Sequence, residues 1–255
     1  MIRKKTLLVF GFILSGSFLI AQDDMLAMLD SVQEPKTHEK VSATFKGTKI
    51  INMQSTETVK KRTLDFSVTH RFGNIGKESG GGGHQLYGFD NSSDIRIGFD
   101  FGITDNLTLG IARSKQAEMI DGLVKYRFLT QTKDNHIPLS MAIYVDMAYT
   151  PVEASQFYSG MVVNPEFKQN DIHRFSYTTQ LLIARKFGWR FSMQLTPTYQ
   201  HRNYVLGSIN PDNDAAETND LMSMGAGFRF MLTKRFGIIG DYYYCLLYTS
   251  PSPRD

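Results

Sequence analysis

From Arg62 onward, large apolar side chains occupy every second position in one segment after another. In RTLDFSVTHRF one face holds Leu64, Phe66, Val68 and Phe72, with His70 near its end, and the other holds Thr63, Asp65, Ser67, Thr69 and Arg71. SDIRIGFDFGI sets Ile95, Ile97, Phe99, Phe101 and Ile103 against Asp94, Arg96, Gly98, Asp100 and Gly102. A helix, with its period of 3.6, would scatter these residues round its axis, whereas a strand keeps them on one side. The same alternation recurs in LTLGIARS, GLVKYRF, IPLSMAIYVDMAY, RFSYTTQLLIARKF, WRFSMQLTPTYQHR and DLMSMGAGFRFML, and in a ninth segment from Phe236 through Tyr242 and Tyr244.

The joins between these segments carry topology. Those at 73–93, 150–173 and 203–219 are long, while Thr104–Asn106, Gly188 and Thr233–Arg235 are tight. Long joins fall mainly at odd places and tight ones at even places, although 115–119 is short for its class. An up-and-down antiparallel sheet puts all odd joins at one end and all even joins at the other, as in outer-membrane barrels with long outer loops and short periplasmic turns. The expected fold is therefore all-β, an antiparallel up-and-down transmembrane β-barrel over residues 62–244.

Three features favour lipid over a soluble core outside the apolar face. Several segments exceed the usual soluble strand and reach the about 9–11 residues that a tilted transmembrane strand needs. So many Phe, Leu, Ile and Met side chains would overfill a small barrel. Aromatics also gather near segment ends (Phe72, Tyr149, Phe175, Tyr177, Phe187, Trp189, Tyr199 and Phe236), as in interfacial girdles. The opposite face supplies candidate lumen-lining charges: Asp65, Arg71, Asp94, Arg96, Asp100, Lys125, Arg127, Asp146, Arg174, Lys186, Arg190, Arg202 and Arg229. In a confined interior these must pair or hydrate. Arg outnumbers Asp, from which a weak anion preference follows. Pro197 interrupts a long segment, and a bulge or widening near Thr196–Thr198 is the expected accommodation.

The N-terminus MIRKKTLLVFGFILSGSFLIAQDD joins a basic start to an apolar run ending near Ala21, the pattern of a secretory signal peptide over residues 1–21. Residues 22–61 read as a periplasmic lead-in with a brief helix around Met25–Val32. Within it FKGTKIIN, residues 45–52, is either a short strand or a plug-like piece at the barrel mouth. No later run of about eighteen apolar residues offers a transmembrane helix. The sequence pI is about 8.8. However, setting aside Arg3, Lys4, Lys5 and Arg254, and with them Asp255, leaves basic and acidic residues equal in number and spread along the chain. That excludes a basic footprint for nucleic acid.

Chemistry-bearing patterns are sparse. The six histidines, His38, His70, His84, His136, His173 and His201, form no metal-binding spacing, and Gly80–Gly83 before His84 lacks the G-K-S/T of a phosphate loop. Ser67 and His70 fall on opposite faces, and Ser176 and Ser192 have no histidine expected opposite them. No catalytic residue, cofactor or metal is assigned, and an enzyme is not the favoured reading. The leading class is a channel or porin-like barrel for small polar or anionic solutes. The alternatives are a non-conducting structural or binding barrel whose outer loops recognise a partner, and an outer-membrane lipid hydrolase.

TLDFSVTHRFGNIG (63–76), FGITDNLTLGIARS (101–114), DGLVKYRFL (121–129), YTTQLLIARKF (177–187) and LTPTYQHRN (195–203), in this order, resemble a Bacteroidetes-type family of membrane-bound β-barrel domains of unknown function. The resemblance covers about residues 45–244 and implies an outer-membrane barrel without transferable site residues. CLLYTSPSPRD, residues 245–255, departs from it and resembles translated sequencing-adapter read-through, with Ser-Pro-Ser-Pro unable to continue a ladder. Nine strands is also an odd number, whereas bacterial single-chain barrels have an even one. The expectation is a truncated barrel with further strands, in which Cys245 carries no functional weight.

Overall fold

The computed structural model describes residues 38–73, 83–90, 92–152, 170–203 and 219–246. Lys40–Asp255 forms one compact unit, and of the unit before it only His38 and Glu39 are among the described residues. The expected signal peptide over residues 1–21, the expected helix at Met25–Val32, Gly80–Gly82 and most of the three long joins taken together lie outside them.

Among the described residues nine strands form one antiparallel sheet in chain order: β1 (Leu64–Phe72), β2 (Ser92–Thr104), β3 (Leu107–Ser114), β4 (Ile120–Leu129), β5 (Ser140–Tyr149), β6 (Phe175–Lys186), β7 (Phe191–Arg202), β8 (Asp220–Met231) and β9 (Gly237–Cys245). Each pairs only with its neighbours in sequence, which is the up-and-down meander expected from the joins. Among the described residues β1 and β9 each have one neighbour, so the sheet is not closed. Among the described residues no helix is long and apolar enough to cross a membrane.

Period-two patterning sets the two faces. Phe66, Ile111, Val124, Ile143, Leu195 and Phe228 stand exposed on one side, Phe66 at 56% and Ile111 at 57%. Asp100, Asp121, Lys125, Gln194 and Arg229 are buried on the other. This inversion of the soluble pattern is stable only where the outer solvent is hydrocarbon. A strand such as β6, with 12 residues, is about 40 Å long, and a tilt of about 45° leaves roughly 28 Å along the membrane normal. Aromatic pairs mark both ends. Phe72–Phe89 and Tyr149–Phe175, with centroids 5.1 and 5.0 Å apart, lie at the long-join end. Phe187–Phe191, 5.6 Å apart, and Arg190 over the Trp189 ring at 4.8 Å lie at the short-turn end.

One local expectation is corrected and a second, which offered two alternatives, is narrowed to one. β5 starts at Ser140 rather than Ile137. Pro138 lacks a donor, and Ile137 is tied back to Thr132, whose N–H reaches the Ile137 carbonyl at 2.9 Å. At Pro197 there is no bulge. Pairing with β6 skips from Gln180↔Thr198 to Ile183↔Leu195 in unchanged register, while pairing with β8 runs on through Pro197↔Met224. The missing N–H falls on the β6 side alone, so the ladder opens there without shifting.

Candidate functional site

The concave, polar face of the sheet is occupied by the chain itself. Residues 40–62 enter at the short-turn end and fold against the inner face, a longer stretch than the FKGTKIIN piece singled out in the sequence. Lys40 bridges Thr132, and the Val41 N–H donates to the Gln131 carbonyl at 2.7 Å. Lys49 bridges Gln54, and Ser55 closes the turn through its N–H to the Thr48 carbonyl and its hydroxyl to the Gly47 carbonyl. The segment leaves at the same end, where the Lys61 N–H reaches Asp105 Oδ1 at 3.0 Å in the β2–β3 turn.

Of the inner-face side chains that hold it, three make two or more bonds each to its backbone. Asp241 on β9 accepts the consecutive backbone N–H groups of Ile51, Asn52 and Met53 on one carboxylate oxygen, at 3.1, 2.8 and 2.8 Å. Gln194 on β7, fully buried, accepts from the Thr56 N–H at 3.1 Å and donates to the Gln54 carbonyl at 2.6 Å. Lys125 on β4 donates to the carbonyls of Thr48 and Glu57, at 2.9 and 3.3 Å. These bonds satisfy backbone groups that an irregular segment would otherwise leave bare within the membrane. Apolar contact adds to them, since Phe45, Ile50 and Met53 pack with Ala184 and Tyr243. Gly225 and Gly227 on β8 make room: a Cβ there would stand 2.6 Å from Met53 Cε and from Ile50 Cδ1, respectively. Gly102 on β2 does the same for the passing Val59 and Lys60 carbonyls.

Toward the long joins the segment leaves a polar cavity of about 400 Å³. Lys49, Ile51, Asn52 and Gln54 form its floor, and Asp94, Arg96, Asp121, Tyr144, Asp146 and Arg71 its walls. Arg96 and Asp121 form an ion pair, with a second contact from Arg96 Nε to Asp121 Oδ1 at 3.2 Å. The Tyr144 hydroxyl donates to Asp146 at 3.1 Å. Burial, with the Arg96 charge nearby, pulls the Lys49 ammonium below the ordinary lysine pKa, while Asp100 and Asp121 pull the other way.

The other candidate charges are dispersed. Asp65 is exposed on β1 opposite Asp100, and Arg127 faces Glu57 at 3.6 Å. Lys186 Nζ donates to the Ser42 carbonyl at 2.9 Å, and Arg174 to the Pro151 carbonyl at 2.8 Å. Arg202 ends β7, Arg190 lies exposed in the β6–β7 turn, and Arg229 donates to Ser192 Oγ at 3.3 Å. Leu123 and Leu182 make part of the inner face apolar, packed with Ala142 and Tyr144. His201 faces outward, its Nδ1 2.7 Å from Asp220 Oδ1, at the aromatic long-join end.

Sequence reasoning missed Asp121, Tyr144, Gln194 and Asp241. The parity of Tyr144 and Gln194 was visible, but nothing in the pattern marked them apart from other inward residues. Asp121 lay one residue before the expected strand, and Asp241 lay inside a strand traced only by its outward tyrosines.

No curated protein and no solved structure matches the chain. Residues 45–254 match the family described as "Membrane bound beta barrel domain (DUF5777)", a match that begins at Phe45 and so takes in most of the inward segment together with all nine strands. The inverted faces, the meander and this match over most of the chain agree, and the protein belongs to that family of membrane-bound β-barrel domains of unknown function.

Proposed function

We propose that this domain sits in an outer membrane after signal-directed export, long joins outward and short turns toward the periplasm, and works as an outward-facing binding barrel for small polar solutes. One observation carries the reading. Residues 40–62 lie across the polar interior, held by Asp241, Gln194 and Lys125, and leave a cavity only partly open on the long-join side. That arrangement favours a binding barrel over an open pore. The cavity presents Arg71, Arg96 and Lys49 together with Asp94, Asp121 and Asp146. Such near-balanced charge suits a zwitterionic or multiply hydrogen-bonding solute better than a simple anion.

A gated channel is the second reading, supported by the hold on the segment being largely polar and hence open to competition from water. Planar-bilayer recording separates the two. The intact protein should conduct rarely. Deletion of residues 41–56, or Asp241→Asn, which replaces a charged acceptor of three N–H groups by a neutral one, should increase conductance at least several-fold. Sustained conductance by the intact protein, unchanged by either variant, would sink the binding-barrel reading.

A further inference from the structure

A second cavity, of about 240 Å³, lies on the other side of the inward segment, at the short-turn end. Phe45, Lys46 and Ile50 of the segment bound it on one side, and Arg229, Arg235 and Ile239 of β8, the β8–β9 turn and β9 on the other. Three of these six residues are cations, and no carboxylate is among the described residues that line the cavity. Lys49 also borders it, but the charged groups acting on its ammonium, Arg96, Asp100, Asp121 and Arg71, belong to the first cavity or its surroundings.

Arg229 is the unusual member. It is only 5% exposed, and among the described residues its guanidinium bonds to Ser192 Oγ while its Nε has no partner. Glu57 is the acidic group that acts on it through space, yet Glu57 is already engaged by the Thr44 and Phe45 N–H groups and by Arg127. A buried guanidinium with unused donors is costly unless an acceptor completes it. Its planar fork matches the spacing of oxygens on a tetrahedral or carboxylate anion.

We propose that this cavity is a binding site for a phosphate-class oxyanion. Arg229 is the buried fork, and Lys46 and Arg235 close on the anion from the segment and the turn. The anion ties the segment to β8 and β9 at the end where both Lys46 and Arg235 are reachable. Inorganic phosphate and the phosphomonoester of a lipid headgroup share this chemistry.

The full chain in dodecyl maltoside micelles, which carry no phosphate, can be titrated calorimetrically with inorganic phosphate and, separately, with dihexanoyl phosphatidic acid. The expected result is saturable binding of at least one of the two at a single site, weakened ten-fold or more in Lys46→Gln/Arg235→Gln. That double variant leaves the buried arginine in place and should keep the fold. Arg229→Lys, which keeps the charge and removes the fork, should also weaken binding. Affinity for the lipid alone would identify a headgroup as the occupant, and affinity for both a free oxyanion site. No saturable binding of either, or binding that the double variant leaves unchanged, overturns the proposal. Conductance is not read, so the outcome is independent of what the outer cavity does.

Discussion

Gly102 and Gly227 face the same inward segment but should tolerate a methyl group differently. At Gly102 the added Cβ would collide with backbone, standing 2.6 Å from the Val59 carbonyl and closer still to that of Lys60. At Gly227 it would meet the far end of the Ile50 side chain, which can rotate away. Gly102→Ala should therefore cost about 1–3 kcal/mol and Gly227→Ala under about 1 kcal/mol, read from denaturant midpoints in micelles. Equal losses would contradict the close approach at Gly102. Lys49 gives a pH signature. Its pKa is lowered in the folded protein, so the unfolded chain, at about 10.5, binds more protons over the window between the two values. Stability should then rise with pH through that window toward 10.5 and be lowest on its acid side. Lys49→Met should flatten part of the rise, and an unchanged slope would remove Lys49 as its cause. None of these roles was legible in the chain alone, because a glycine on the inner parity looks the same whether it meets water or backbone, and a lysine in a stretch without a period gives no sign of which way it faces.

Elements were more legible than residues. β3 begins and ends where alternation placed it, since Leu107, Leu109 and Ile111 alternate without interruption between the Asp105–Asn106 turn and Lys115. β5 was overextended because Ile137 and Leu139 keep the parity of a strand while Pro138 forbids its hydrogen bonding. The segment 40–62 was hardest to read. It has no period, and its bonds go to residues as distant as Asp241, so only the folded sheet reveals its course. Pro197 offers a test at this scale. Pro197→Val would restore the donor that the β6 side lacks, and a gain of about 0.5–1.5 kcal/mol should appear as slower unfolding in lipid. A loss instead would mean that the opening at Leu181 and Leu182 accommodates something a valine cannot.

For the whole molecule, the outer band of apolar side chains carries the assignment to a membrane. Ile111→Arg, in the middle of β3, should impair insertion by about 2–4 kcal/mol, whereas Phe236→Arg, in the turn before β9, should cost about 0–1 kcal/mol. Folding into vesicles measured by gel mobility would show the contrast, and equal tolerance at both positions would place the outer face in water. The fold class was readable because lipid imposes one chemistry on a whole face. The contents of the interior were not, because a polar face suits water, a solute or a piece of the same chain equally well.

The contact between Asp241 and residues 51–53 spans 188 to 190 positions of the chain. The stretch that fills the hollow emerges before the first strand, yet one of its anchors arrives only with the ninth. The wall must curl around its own contents like cloth around a mandrel, and the seating of that early stretch becomes a checkpoint on whether the last strand has taken its place.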